Sequence, residues 1–242
     1  VGKMEGKGYK LEEMSGEEFI AEVLNGRRDF SGIKLVDADL SSADGFEEMN
    51  RYLMEHEEEL WRNPIVINYS DFSGVEANGI YLPYVKGIGA NLEKAKLQGA
   101  NLKVANLLRA NLAGANLEGA DLGGANLYKA YLKEAHLLGA NLLIADIEGA
   151  NLERADLRVA YSVGANLSGA NIEGAYLQAA NLSGADLSRS YLIEAKLQIA
   201  NLSGADLTRA NLEGANIDGA YFKDANLKGA NLVNAKAKVI FV

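Results

Sequence analysis

A chain of 242 residues, 48% hydrophobic but only 7% aromatic, can bury a sizeable core built largely from alanine and leucine. It has no cysteine, which excludes disulfides, thiolate catalysis and cysteine-ligated metals. No run approaches the roughly 18 apolar residues of a membrane span, and "VGKMEGKGYKLEEM" lacks the apolar stretch of a secretory leader, so the expectation is a cytoplasmic protein with no membrane contact. The net charge of −9 is uneven: residues 44–62 hold seven acids against Arg51 and Arg62, whereas residues 65–242 hold 17 acids against 16 bases.

In chain order, residues 1–28 predict an N-terminal helical cap. Ser15-x-x-Glu18 has the form of a capping box, Phe19, Ile20, Val23 and Leu24 follow at helical spacing, and Gly26 supplies a stop. Residues 29–43, "DFSGIKLVDADLSSA", carry an alternation with a period of five, displaced by two positions from the frame used later. Residues 44–64 therefore predict an insertion. Phe46, Met49, Leu53 and Leu60 form one stripe of an acidic helix, with Asp44 placed to cap its start and Pro64 to end it. This helix is expected to project from the body and to influence partner choice.

Residues 65–242 form a single repetitive tract. From Ala90 to Ala235 every fifth residue is alanine except Ser190, and two places on it is nearly always leucine. The slot between them is mostly Asn or Asp. Small, polar, large reads as in–out–in, a very short strand. The two following slots tolerate Gly, Ser, Glu and Lys, as an exposed corner does, and Gly in the second permits a positive φ. Three residues of side and two of corner, repeated with one hand, wind into a coil whose turns stack by backbone hydrogen bonds. Asn between the inward residues can then form ladders up the stack. In the less regular stretch after residue 65 the inward pairs are Ser70/Phe72, Val75/Ala77, Ile80/Leu82 and Val85/Gly87, where a larger first member offsets a smaller second.

The A-[N/D]-L-x-x iteration over residues 90–235 resembles the pentapeptide-repeat proteins. That resemblance implies an all-β solenoid, a right-handed quadrilateral β-helix of stacked 20-residue coils, here with an N-terminal capping helix and one helical insertion. With twenty residues per coil, residues n and n+20 lie one above the other. Lys133 then stacks with Glu153 and Glu134 with Arg154 as ion pairs, while Arg109 with Lys129 and Arg189 with Arg209 make the Asn106 side the most basic, diluted by Asp146, Asp186 and Asp206. Such scattered cations do not predict nucleic-acid binding.

No catalytic, cofactor or metal constellation emerges. His56 and His136 are far apart, "HEEEL" lacks the second histidine of a zinc helix, and no glycine-rich loop opens a helix. The expectation is a non-enzymatic structural or interaction module needing no cofactor. Outward apolar residues supply a candidate protein-contact surface: Val104, Leu108, Tyr128, Leu143 and Ile144. Val239 and Phe241, beside an open strand edge, are candidates for self-association of two copies. Ser162, where the column calls for leucine, predicts a buried hydroxyl in need of a partner. The resemblance also implies an alternative, since some pentapeptide-repeat proteins bind DNA gyrase as DNA mimics and protect against quinolones. The near-neutral charge of residues 65–242 and a core of leucine in place of frequent phenylalanine argue against it.

Overall fold

The computed structural model describes residues 11–36 and 38–239. Five residues is the repeat because five backbone N–H groups can all be satisfied by one local rule, as residues 111–115 illustrate. Asn111 N–H donates to the coil before, to Ala90 O at 2.9 Å, and Leu112 and Gly114 donate to the coil after, to Tyr131 O and Lys133 O at 2.7 and 2.9 Å. Ala115 N–H closes the corner onto Leu112 O at 3.0 Å. The remaining donor, Ala113 N–H, bonds the Asn111 side chain at 3.2 Å. The middle Asn or Asp therefore serves the fold twice. It accepts from the first corner residue, and it ladders to its counterpart twenty residues away, as in Asn111–Asn91 at 3.0 Å and Asn141–Asp121 at 2.8 Å.

Parallel bridges link each middle residue to the one twenty positions on, from Val66–Lys86 through Asn216–Lys236, so four five-residue sides complete each coil. We name the sides by residues they carry: the Tyr131 side, the His136 side, the Tyr161 side and the Asp146 side, in chain order. Alanine and leucine columns fill the interior, almost all of them fully buried. Gly87 takes a leucine slot because the space is already used. A β-carbon there would stand 3.0 Å from Leu107 Cδ2 and 3.3 Å from Ile67 Cγ1.

The N-terminal end is closed by the chain itself. Strand β1 (Glu12–Ser15) pairs in parallel with β2 (Ile33–Val36), and helix α1 (Gly16–Leu24) covers the bottom of the core. The capping box forms: Ser15 N–H donates to Glu18 Oε2 at 2.8 Å and Glu18 N–H to Ser15 Oγ at 3.2 Å. Phe19 is buried against the rings of Phe30 and Phe72, with centroids 4.6 and 5.8 Å away.

The two-position frame shift has a direct structural cause. Asp29, Lys34 and Asp39 bridge to Val66, Asp71 and Glu76, a separation of 37 in place of 20, so one coil contains an insertion of 17 residues. The insertion holds α2 (Phe46–Glu55) and α3 (Glu57–Leu60). Two expectations are corrected here. Asp44 does not cap α2; Gly45, left-handed at φ 84°, occupies that position with no side-chain cap. Nor does the insertion project: Phe46, Met49, Leu53 and Leu60 are buried in the common core. The helix also breaks at His56, whose Nδ1 lies 2.7 Å from Tyr52 O.

The helices stand in for the wall that the first coil lacks on the Tyr161 side. Tyr81 bridges upward to Asn101 and has no strand beneath it. The buried Asn50 of α2 fills the gap, accepting from Tyr81 N–H at 2.9 Å and donating to Gly79 O at 3.2 Å. One side-chain amide thus imitates a missing peptide group. Glu57 adds a second fastening by accepting from Tyr81 Oη at 2.7 Å and Tyr84 Oη at 3.5 Å.

Asn50→Leu keeps the size and removes both bonds, leaving two backbone groups unpaired where the helix meets the coil. The expected loss is about 2–4 kcal/mol, read from chemical denaturation, with a smaller loss for Asn50→Asp, which keeps the acceptor. Burial, reinforced by the Glu57 hydrogen bond and charge, pushes the Tyr81 phenol up to about 12. The neutral phenol therefore stabilises the fold fully below the unfolded value of 10.0 and ceases to do so as pH rises through about 12. Absorbance titration of the tyrosines is expected to show one late member, moved earlier by Glu57→Gln.

Candidate interaction surface

With Ala, Asn and Leu committed to the fold, a side chain can be free for other work only at a corner or where it replaces the middle Asn. The second corner residue is left-handed in every repeat from residue 69 to residue 234, and half of these positions are glycine. At the others an L-residue accepts a strain of about 1–2 kcal/mol, most unusual for β-branched Val104, Ile144, Val159 and Ile199. These side chains lean toward the following coil. Val104 Cγ2 and Ile144 Cγ2 lie 3.5 Å from where β-carbons would stand on Gly124 and Gly164. Val104, Ile144 and Ile199 therefore each cover the glycine above them.

This lean settles the two expected ion pairs. Lys133 and Glu153, both first corner residues, meet at 3.1 Å, and the hydrogen bond to that carboxylate and its charge hold the Lys133 ammonium above the usual lysine value. Glu134 and Arg154 form no pair within 4 Å, because the Arg154 stem lies over Gly174 in the coil above, away from Glu134 below. Arg158 instead clasps Asp156 with bonds of 2.9 and 2.6 Å, holding that carboxyl below the usual range.

The five candidate contact residues occupy two corners. Val104, Leu143 and Ile144 share the corner between the Tyr161 and Asp146 sides. Leu108 and the half-buried Tyr128 share the next corner, beyond the polar middle residues Asn106, Asn126 and Asp146. Lys129 Nζ sits 4.9 Å from the centre of the Tyr128 ring. At the far end, Asp218 Oδ1 accepts from Lys238 and Val239 N–H at 2.9 and 3.0 Å. Val239 is exposed; Phe241 lies outside the described residues.

Sequence reasoning passed over the exposed tyrosines in middle slots: Tyr131, Tyr161, Tyr176, Tyr191 and Tyr221. A phenol cannot take over the corner bond that Asn or Asp accepts, so each of these side chains gives up a fold-stabilising contact. Around Tyr161 the consequence is a continuous strip. Leu143 and Ile144 flank it on one corner and Val159, with Ile199 two coils on, flanks it on the other; Ile144 is 66% exposed and Val159 57%. Between residues 138 and 204 this side and its two corners carry one charged residue, Arg158, which is turned onto Asp156. Arranging the sequence in lines of twenty places these residues together, and that is the signal that finds them.

Three buried side-chain oxygens among the described residues have no hydrogen-bond partner: Ser162 Oγ, Gln178 Oε1 and Gln198 Oε1. All three belong to the same strip or its edge. Ser162 points into the leucine core directly beneath the Tyr161 side, so the expected partner for its hydroxyl is missing.

The comparisons with known proteins agree with this architecture. The family model for pentapeptide repeats matches in eight copies over residues 88–124, 120–158, 170–209 and 200–236. The chain belongs to the pentapeptide-repeat family. It is similar to HetL, a pentapeptide repeat protein involved in heterocyst differentiation regulation from the cyanobacterium Nostoc sp. strain PCC 7120, with 31% identity over 90% of this chain and 95% of that one, at a TM-score of 0.33. A trypsin-treated form of QnrB1, a plasmid-mediated fluoroquinolone resistance protein, is 17% identical over 72% of this chain and 91% of that chain, at a TM-score of 0.58, a likeness of fold. A search of the curated proteins finds no match. The family relationship makes the solenoid a right-handed β-helix. Among the described residues no helix is long and apolar enough to cross a membrane.

Ser162→Leu restores the residue that its column uses and removes the orphan hydroxyl. The expected gain is about 1–2 kcal/mol, seen as a higher denaturant midpoint with an unchanged slope.

Proposed function

We propose that this pentapeptide-repeat protein is a non-enzymatic interaction module, a rigid rod whose Tyr161 side seats a protein partner. The observation that carries the reading is the charge-poor apolar strip. Tyr161, Leu143, Ile144 and Val159 stand exposed together on a protein whose other sides carry scattered charges. Charge depletion with an aromatic centre is the composition of an interface core. Ile144, Val159 and Tyr161 also depart from what the repeat itself prefers, at a cost in strain or in a lost corner hydrogen bond. Val104 extends the strip toward the N-terminal end, and Leu108 with Tyr128 offers a smaller contact across the Asp146 side.

The test uses substitutions that return each position to the repeat's own preference: Ile144→Gly, Val159→Gly and Tyr161→Asn together. The triple variant is expected to be at least as stable as the parent, since it relieves left-handed strain and restores an acceptor for Val163 N–H. Proteins captured by the parent from its native cell are expected to be lost with the triple variant and retained with Glu173→Gln, on a different corner. Equal capture by all three forms would reject the strip.

A second reading, implied by the family resemblance, is a gyrase-binding DNA mimic; QnrB1, a plasmid-mediated fluoroquinolone resistance protein, shares the fold. Mimicry of a nucleic acid requires a strong field of one sign, and residues 65–242 sum to −1. Under the first reading, titrating the protein into a gyrase supercoiling assay at micromolar levels leaves the activity unchanged; inhibition, or rescue from a quinolone, would favour the second.

A further inference from the structure

Some charges on the solenoid meet partners of opposite sign. Lys96 meets Glu76 and Lys133 meets Glu153 across successive coils, and Lys94 turns to its neighbour Glu93. The corner between the Asp146 and Tyr131 sides gathers cations near its C-terminal end. Ser188–Arg189, Thr208–Arg209 and Lys228–Gly229 stack there in consecutive coils and line a surface recess together with Asp206. Coils are about 4.8 Å apart, so three cations lie within roughly 10 Å of rise.

None of the three has a carboxylate within 4 Å among the described residues. The nearby acids are engaged otherwise. Asp186 accepts from Ser188 N–H at 2.8 Å, and Asp206 accepts from both the hydroxyl and the N–H of Thr208, which lowers its carboxyl below the ordinary value. Asp206 stands in the lining of the recess, where three cations outnumber it. The Thr208 hydroxyl is saturated further by Asn226 Nδ2 at 2.8 Å.

The arginines are also held at a cost. Arg189 and Arg209 have φ of 57° and 59°, where the same corner uses glycine at Gly149, Gly169 and Gly229 and left-handed cations again at Arg109 and Lys129. Arg209 leans over Gly229, its Cγ 3.5 Å from where a β-carbon would stand, which carries its guanidinium toward the coil of Lys228. Stacked like charges repel, and left-handed arginine is strained, so the fold alone gives no reason for this column.

We propose that this corner is a binding site for a phosphate group. A tetrahedral dianion can take two guanidinium forks and an ammonium at once, with the Ser188 hydroxyl as a further donor, and it relieves the repulsion among the three. A monoanionic carboxylate meets only part of that charge. Free phosphate and a phosphorylated side chain of a partner present the same chemistry to the site. The site lies on a different side of the rod from the Tyr161 strip, and its test is independent of that surface.

The experiment is a titration of the ¹⁵N-labelled full chain with inorganic phosphate, with a phosphoserine peptide and with its unphosphorylated form, each at matched ionic strength. Saturable shifts confined to residues 188–189, 208–209 and 228–229 are expected with phosphate. A phosphopeptide binding at least tenfold more tightly would identify a protein-borne source, and equal binding a free one. Arg189→Gly with Arg209→Gly is expected to weaken phosphate binding at least tenfold without lowering the melting temperature, because glycine suits both backbone positions. That pairing separates lost binding from lost folding. Shifts that sodium chloride reproduces, or that survive in the double glycine variant, would overturn the site.

Discussion

The structure depends on one constraint, the parallel hydrogen bond from each coil to the coil twenty residues on. Leu112 to Tyr131 and Asn111 to Ala90 are single instances of a bond made throughout the tract. Each is worth on the order of 1 kcal/mol net, but the register they share is what matters. Once residue n lies over n+20, every slot becomes a column, and a column must be chemically compatible with itself along its whole length. Alanine and leucine columns satisfy this by packing, and Asn and Asp columns by laddering. Some charges satisfy it by facing the opposite sign, as at Lys133 and Glu153.

A stack of this kind has open ends, and the N-terminal end shows how one is closed. Helix α1 brings Phe19 against Phe30 and Phe72, which satisfies the core, while β1 extends the backbone ladder by one strand. The missing wall of the first coil needs both services at once, from helices that have no free backbone groups along their length. Burial of Phe46, Met49 and Leu53 provides the packing. The Asn50 amide provides the hydrogen bonds, since it offers a donor and an acceptor with the spacing of a peptide group.

Much of this was legible in the sequence, for reasons that are local. The period of five, the inward columns, the Ser15–Glu18 box and the frame shift around the insertion all follow from neighbours within a few residues. What escaped needed contacts that the linear sequence does not display. Asn50 reads as an ordinary polar position in an acidic helix until residues 79–81 are placed beside it. Glu134 and Arg154 have the right spacing to pair, yet the lean of left-handed corner side chains toward the next coil takes the arginine away. Tyr161, read alone, is one departure from Asn among several. Only with Ile144, Val159 and Ile199 set around it by the twenty-residue register does it become the centre of a surface.

The strictness of the repeat is what makes its departures informative. In an irregular protein an exposed isoleucine or arginine has many ordinary explanations. Here each slot has a known preferred residue, a known backbone conformation and a known hydrogen-bonding duty. A departure can therefore be assigned a cost: left-handed strain for Ile144 or Arg209, a forgone corner bond for Tyr161, an orphan hydroxyl for Ser162. Costs scattered at random along four sides would speak of drift that the fold tolerates. Instead Ile144, Val159, Tyr161 and Ile199 gather around one side between residues 138 and 204, and Arg189, Arg209 and Lys228 gather on another corner between residues 188 and 229. The fold gains nothing from either grouping, which is why we propose that both surfaces meet other molecules.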